Sequence, residues 1–141
     1  MKKEKIEIYS KDIPKVEEFL EWICAEYHIH NYLGSISVAL STAMSLTKGK
    51  IILVFQKDKE GVSFTLESEG KYFSSLTSEG KAEDESLFLI ENLPDSISVK
   101  DEGKCLIMNF YVSGIEPEMA LHRKEIISNF SLRKKKLTSI N

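Results

Sequence analysis

The chain has 141 residues, 42% hydrophobic and 29% charged, which fits one globular domain built around one core. Its net charge of -3 gives no general attraction to nucleic acid, and no apolar run approaches the roughly 20 residues that a membrane span requires. Two isolated cysteines, Cys24 and Cys105, are too few for a disulfide framework, and MKKEKIEIYS lacks the apolar core of a secretory signal, so the expectation is a cytoplasmic protein with no membrane partner.

Lys5 to Tyr9 reads as a short strand, with Ile6 and Ile8 on one face. Asp12 is a candidate helix cap, and Pro14 is tolerated in the first turn, where its missing N–H costs nothing. Val16, Leu20, Ile23, Cys24 and Tyr27 follow at helical spacing and predict one buried stripe. Gly34 marks a break. A second helix is expected from Ser35, with Ile36, Ala39, Leu40, Ala43 and Met44 on one face, ending near Gly49 as a left-handed cap. Ile51 to Gln56 is a continuous apolar run and predicts a central strand. Residues 57–61 (KDKEG) read as a hairpin turn, and Val62, Phe64 and Leu66 alternate along the return strand. Residues 74–86 are polar and aperiodic, hence a loop. Leu87 to Leu93 predicts a short helix stopped by Pro94. Ile97 to Lys100 and Cys105 to Val112 predict two more strands, turned by DEGK at 101–104.

This order predicts an α/β (α+β) two-layer sandwich, a mixed, mostly antiparallel sheet with helices on one face. The composition shifts after Gly114. Residues 1–113 are the expected domain, and 114–141 a helical extension in which Met119, Ile126 and Phe130 face one way. Packing of that stripe back on the domain is the favoured outcome, since apolar surface left in water is unfavourable. The extension runs into RKKK at 133–136, which reads as a solvated basic tail, with an acidic partner or phosphate backbone as the minority reading.

Four places carry a resemblance to a known family. The helix ISVALSTAMSLTKGK places Thr42 and Leu46 one turn apart. ESEGKYF, Glu67 to Phe73, follows the alternating strand. Asp84-Glu85-Ser86 precedes LFLIENL, and LFLIENLPDSISVKDEGKCLIMNFYV supplies a helix and two strands. Over residues 5–112 the chain resembles the GHKL (Bergerat-fold, histidine-kinase-like) ATPases, and within them the small bacterial anti-sigma-factor serine kinases. The resemblance implies a site for ATP and Mg²⁺. It implies a helical Glu and Asn at Thr42 and Leu46, an adenine-reading Asp at Ser68, glycines at Gly70 and Tyr72, and a phosphate-holding turn ending at Ser86.

Most of those positions have changed. Leu46 cannot ligate a hard cation, and Thr42 cannot act as a carboxylate base. Tyr72 fills a place where the backbone must approach the ligand. Two acidic residues precede the helix that would hold phosphates. The resemblance therefore implies a non-catalytic protein-binding module, a pseudoenzyme in regulatory partner switching with ATP binding weakened or lost and no cofactor expected. Its implied partner is a sigma factor or an antagonist of an anti-sigma factor, with a homodimer allowed, and the segment Ile6 to Tyr27 supplies the contacts. The alternative is a divergent ATP-dependent serine kinase and anti-sigma factor in which Glu67 or Glu69 replaces the lost carboxylate. A third reading has Met44, Leu46 and Tyr72 lining a small apolar pocket.

Cys24 and His28 stand one helical turn apart, with His30 behind them. The place of Cys24 on the buried stripe favours packing, and no metal site is assigned. Trp22, Tyr27 and Tyr32 form either core contacts or an aromatic partner surface.

Overall fold

The computed structural model describes residues 2–58 and 61–111. Five strands, β1 (Lys2–Tyr9), β2 (Lys50–Lys57), β3 (Val62–Ser68), β4 (Ser96–Lys100) and β5 (Cys105–Phe110), form one sheet in the order β1-β2-β3-β5-β4. All four pairings are antiparallel. Three helices, α1 (Ile13–Glu26), α2 (Leu33–Ser45) and α3 (Glu85–Asn92), share a single apolar cluster with one face of that sheet. The two-layer α+β sandwich is what the chain builds.

The alternation of each strand decides which side chains enter the core. Ile8, Ile51, Leu53, Phe55, Phe64, Leu66, Leu106, Met108 and Phe110 turn toward the helices and are buried. Both expected helical stripes meet them, and every residue named in those stripes is buried. Phe55 sits opposite Phe64 in the β2–β3 register, and a run of ring contacts from Tyr27 through Phe55 and Phe64 to Phe110, with centroids 4.9, 5.3 and 6.2 Å apart, crosses the sheet. Each such side chain contributes on the order of 1.5–3 kcal/mol through burial alone.

The hairpin between β2 and β3 closes through Asp58, whose backbone N–H donates to the Gly61 carbonyl while its carboxylate accepts from the Gly61 N–H, each at 3.0 Å. A side chain at position 61 would run into the Phe110 carbonyl oxygen, so glycine is required there.

Several boundaries differ from expectation. β1 begins at Lys2, because its whole length pairs with β2. Gly34 lies inside α2, which starts at Leu33 after a single 3₁₀ turn at His30–Tyr32. A glycine in the first turn costs only its modest helix propensity, and packing outweighs it. The same helix stops at Ser45 with Leu46 as its cap, and Gly49, at φ +80°, serves the turn into β2 instead. Asp12 occupies the cap position of α1, but its side chain makes no capping hydrogen bond. The proposed loop at 74–86 is shorter, since α3 begins at Glu85. The expected helix after Glu116, the RKKK tail and the last residue of the expected final strand lie outside the described residues.

Candidate functional site

The six positions singled out in the sequence fall into two groups. Ser68, Gly70 and Tyr72 are neighbours at the exit of β3, whereas Thr42 and Leu46 lie on and just after α2, and Ser86 in the first turn of α3. The two helices pack side by side. Among the described residues, no hydrogen bond ties Thr42, Leu46 or Ser86 to the β3 exit.

The chemistry of each position follows from its partners. The Thr42 hydroxyl donates at 2.6 Å to the Val38 carbonyl one turn back, so its proton is spent within its own helix. Leu46 packs against the core. At the β3 exit, the Ser68 N–H donates to the Lys104 carbonyl at 2.9 Å. The Ser68 hydroxyl lies between two backbone acceptors, the Gly70 carbonyl at 2.7 Å and the Lys104 carbonyl at 3.0 Å. That serine fastens a turn. Tyr72 folds its ring onto Gly70: a side-chain carbon built at Gly70 would stand 2.6 Å from two ring carbons. The open side that a glycine offers to a ligand is therefore taken by the tyrosine.

The segment that follows is held down. The Phe73 N–H donates to the Gly103 carbonyl at 2.9 Å, and Phe73 and Leu76 are buried in the common core. Thr77 donates its N–H to a Glu91 carboxylate oxygen at 3.1 Å, and the Asn92 amide donates to the Gly80 carbonyl at 3.1 Å. Polar, aperiodic composition reads as a loop over 74–86 and gives no sign of this anchoring. Its two anchors, Phe73 and Leu76, are too few and too close to show a period.

At the start of α3, the Asp84 carboxylate accepts from the Leu87 N–H at 3.0 Å. Glu85 adds a second negative charge in the same turn. Both favour the positive end of the helix. The first turn thus already contains an anion of its own, and Ser86 is half-buried beside it.

An open groove borders Ser68 and is lined by Glu67, Ser68, Asp101, Glu102, Lys104 and Cys105. Met44, Leu46 and Tyr72, expected together in an apolar pocket, are not among its walls, and Met44 is fully buried in the core. Three carboxylates face one ammonium in the groove, and Lys71 meets Glu102 at 2.6 Å. Burial, then the charges of Glu67 and Asp101, push the Cys105 thiol up, opposed by Lys100. Asp101 and Glu102 hold left-handed backbones at φ 54° and 58°, which sequence reading took for an ordinary turn. Glu67 alternates with buried Leu66 and is exposed on the sheet face away from the helices, so it cannot stand in for a carboxylate on the helix side.

Two remaining expectations divide. Tyr27 is buried against Phe55 and Tyr32 is half-buried on the core, while Trp22 is 48% exposed beside Phe19. The aromatic patch is Trp22 alone among the three, framed by exposed Glu17, Glu18 and Glu21. Burial pushes the Cys24 thiol up to about 11, whereas His28 is exposed, so the two are not arranged as a ligand pair. Among the described residues no group of three or more His, Cys, Asp or Glu is placed to hold a metal ion, and no helix is long and apolar enough to cross a membrane.

Compared with known proteins, the chain matches no family model and no curated relative.

Proposed function

We propose that this chain is a non-catalytic protein-binding module on a degenerate GHKL-type scaffold, acting in regulatory partner switching. The observation that carries the reading is the Asp84 carboxylate seated on the first turn of α3, where the resemblance would have phosphate. A like charge at about 4 Å costs about 1–4 kcal/mol per phosphate charge between water-like and protein-surface dielectrics, enough to turn a modest site into none. Tyr72 over Gly70 and the hydroxyls of Thr42 and Ser68, engaged with backbone carbonyls, support the same reading at the positions where adenine and Mg²⁺ would sit.

The partner surface is the outward face of α1. Glu17, Glu18, Glu21 and Trp22 occupy adjacent places on two helical turns, and all four are exposed. Like charges at Glu17 and Glu21 repel across one turn, at a cost of about 0.2–0.5 kcal/mol. An acidic ridge around an exposed indole fits a basic segment with an apolar anchor. By the resemblance the partner is a sigma factor or an antagonist of an anti-sigma factor.

Incubation with Mg²⁺ and γ-labelled ATP tests the loss of chemistry. The expected result is no hydrolysis above the protein-free control and no label on this chain or on any protein added to it. Phosphate transfer to a partner serine that disappears in Glu69→Gln would replace this reading with that of a divergent kinase.

A further inference from the structure

The sheet has a second face, opposite to the helices, and it is not polar throughout. The register aligns Lys5, Val54, Thr65, Ile107 and Ser98 in one cross-strand row, and Ile52 beside Glu67 and Cys105 in the next. Ile52, Val54, Thr65, Ile107 and Cys105 thus form a contiguous patch over the middle strands. Val54 and Cys105 are each only 8% exposed, yet neither belongs to the apolar cluster beneath α1, α2 and α3. All three described helices pack on the other side.

We propose that residues 116–130 of this chain dock on that face as an amphipathic helix, with Met119, Ile126 and Phe130 against Ile52, Val54 and Ile107. Three observations select this occupant. First, β5 lies inside the sheet, and its exit is fixed by the Tyr111 N–H donating to Asp95 at 2.6 Å. Tyr111 continues the alternation of Cys105, Ile107 and Asn109 and is exposed, so the last described residue stands at the border of that face. Second, the lengths agree. A helix over 116–130 spans about 22 Å at 1.5 Å per residue, and an eight-residue strand such as β2 spans about 26 Å. Third, charge agrees. The exit lies at the Val62 end of β3, and a helix returning along the strands carries Arg133 to Lys136 toward the opposite end. There the groove presents Glu67, Asp101 and Glu102.

Methyl-labelled full-length protein tests this directly. Nuclear Overhauser contacts are expected from the Ile52, Val54 and Ile107 methyls to the Phe130 ring and the Met119 methyl. They should persist within one molecule in a sample mixed with unlabelled chain. The triple variant Met119→Glu, Ile126→Glu, Phe130→Glu changes none of the described core residues. It should abolish the contacts and make alkylation of Cys105 about tenfold faster, with Cys24 unreactive in both forms. Contacts that are absent in the native chain would overturn the proposal. Contacts found only between molecules would also overturn it, and would assign the face to a second copy.

Discussion

Asp84 caps a helix at the place where the resemblance would have phosphate. Its carboxylate occupies one of the first-turn amides of α3 and adds a negative charge beside the others. Asp84→Ala should cost about 1 kcal/mol of stability, and Asp84→Asn much less, because an asparagine oxygen still caps. Urea unfolding of the two variants measures this. Cys24 supports a second residue-scale prediction. Its thiol is raised from 9.0 to about 11 by burial, so between those values the unfolded chain releases a proton that the folded chain keeps. Stability therefore falls with rising pH through that window, by on the order of 1 kcal/mol per pH unit. Cys24→Val should lack this component, which the difference between the two urea midpoints from pH 8 to 11 isolates from tyrosine and lysine titration.

Among the elements, the turn between β4 and β5 is strained, with Asp101 and Glu102 both at positive φ ahead of Gly103, which adopts it freely. A side chain at Gly103 would stand 2.7 Å from the Ser74 backbone nitrogen. Gly103→Ala should therefore destabilise by about 1–3 kcal/mol and loosen the Phe73 strap, read by thermal unfolding and by faster amide exchange at Phe73. Glu102→Gly should stabilise by about 0.5–1 kcal/mol despite losing the exposed pair with Lys71, since relief of a left-handed non-glycine residue outweighs a surface ion pair. Glu91 makes the complementary case: it is buried, with one oxygen on Thr77 and the other without a partner. Glu91→Gln keeps the acceptor and should be neutral or stabilising, whereas Glu91→Ala should cost about 1–3 kcal/mol by stranding the Thr77 N–H. Helix and strand identities were legible because Val16 to Tyr27 and Val62 to Leu66 carry strong periods and Ile51 to Gln56 is a continuous apolar run. The turn at 101–104 was legible but its strain was not, because nothing in DEGK requires two successive non-glycine residues at positive φ. The anchoring of 73–84 was equally hidden, since the bonds from the Phe73 N–H to the Gly103 carbonyl and from the Thr77 N–H to the Glu91 carboxylate leave no mark in local composition.

Across the whole molecule, the two faces of the sheet have different roles. The helix side is filled by one core, and of the positions that the resemblance assigns to a nucleotide, Thr42 and Ser68 bond backbone carbonyls, Leu46 packs against the core and Tyr72 lies on Gly70. In the sequence, Thr42, Leu46, Ser68 and Tyr72 were readable as changed residues, but their present partners were not: the Val38 carbonyl, the Lys104 carbonyl and the face of Gly70 come together only in three dimensions. Trp22 was readable only as one of three candidate aromatics, and its frame of Glu17, Glu18 and Glu21 emerged as a surface once Tyr27 proved buried and Trp22 exposed. The proposed closure of the nucleotide site is tested by calorimetric titration of the full chain with Mg·ATP. No saturable heat is expected up to millimolar nucleotide. Saturable binding with a micromolar dissociation constant, weakened by substitution at Ser68 or Ser86, would contradict it.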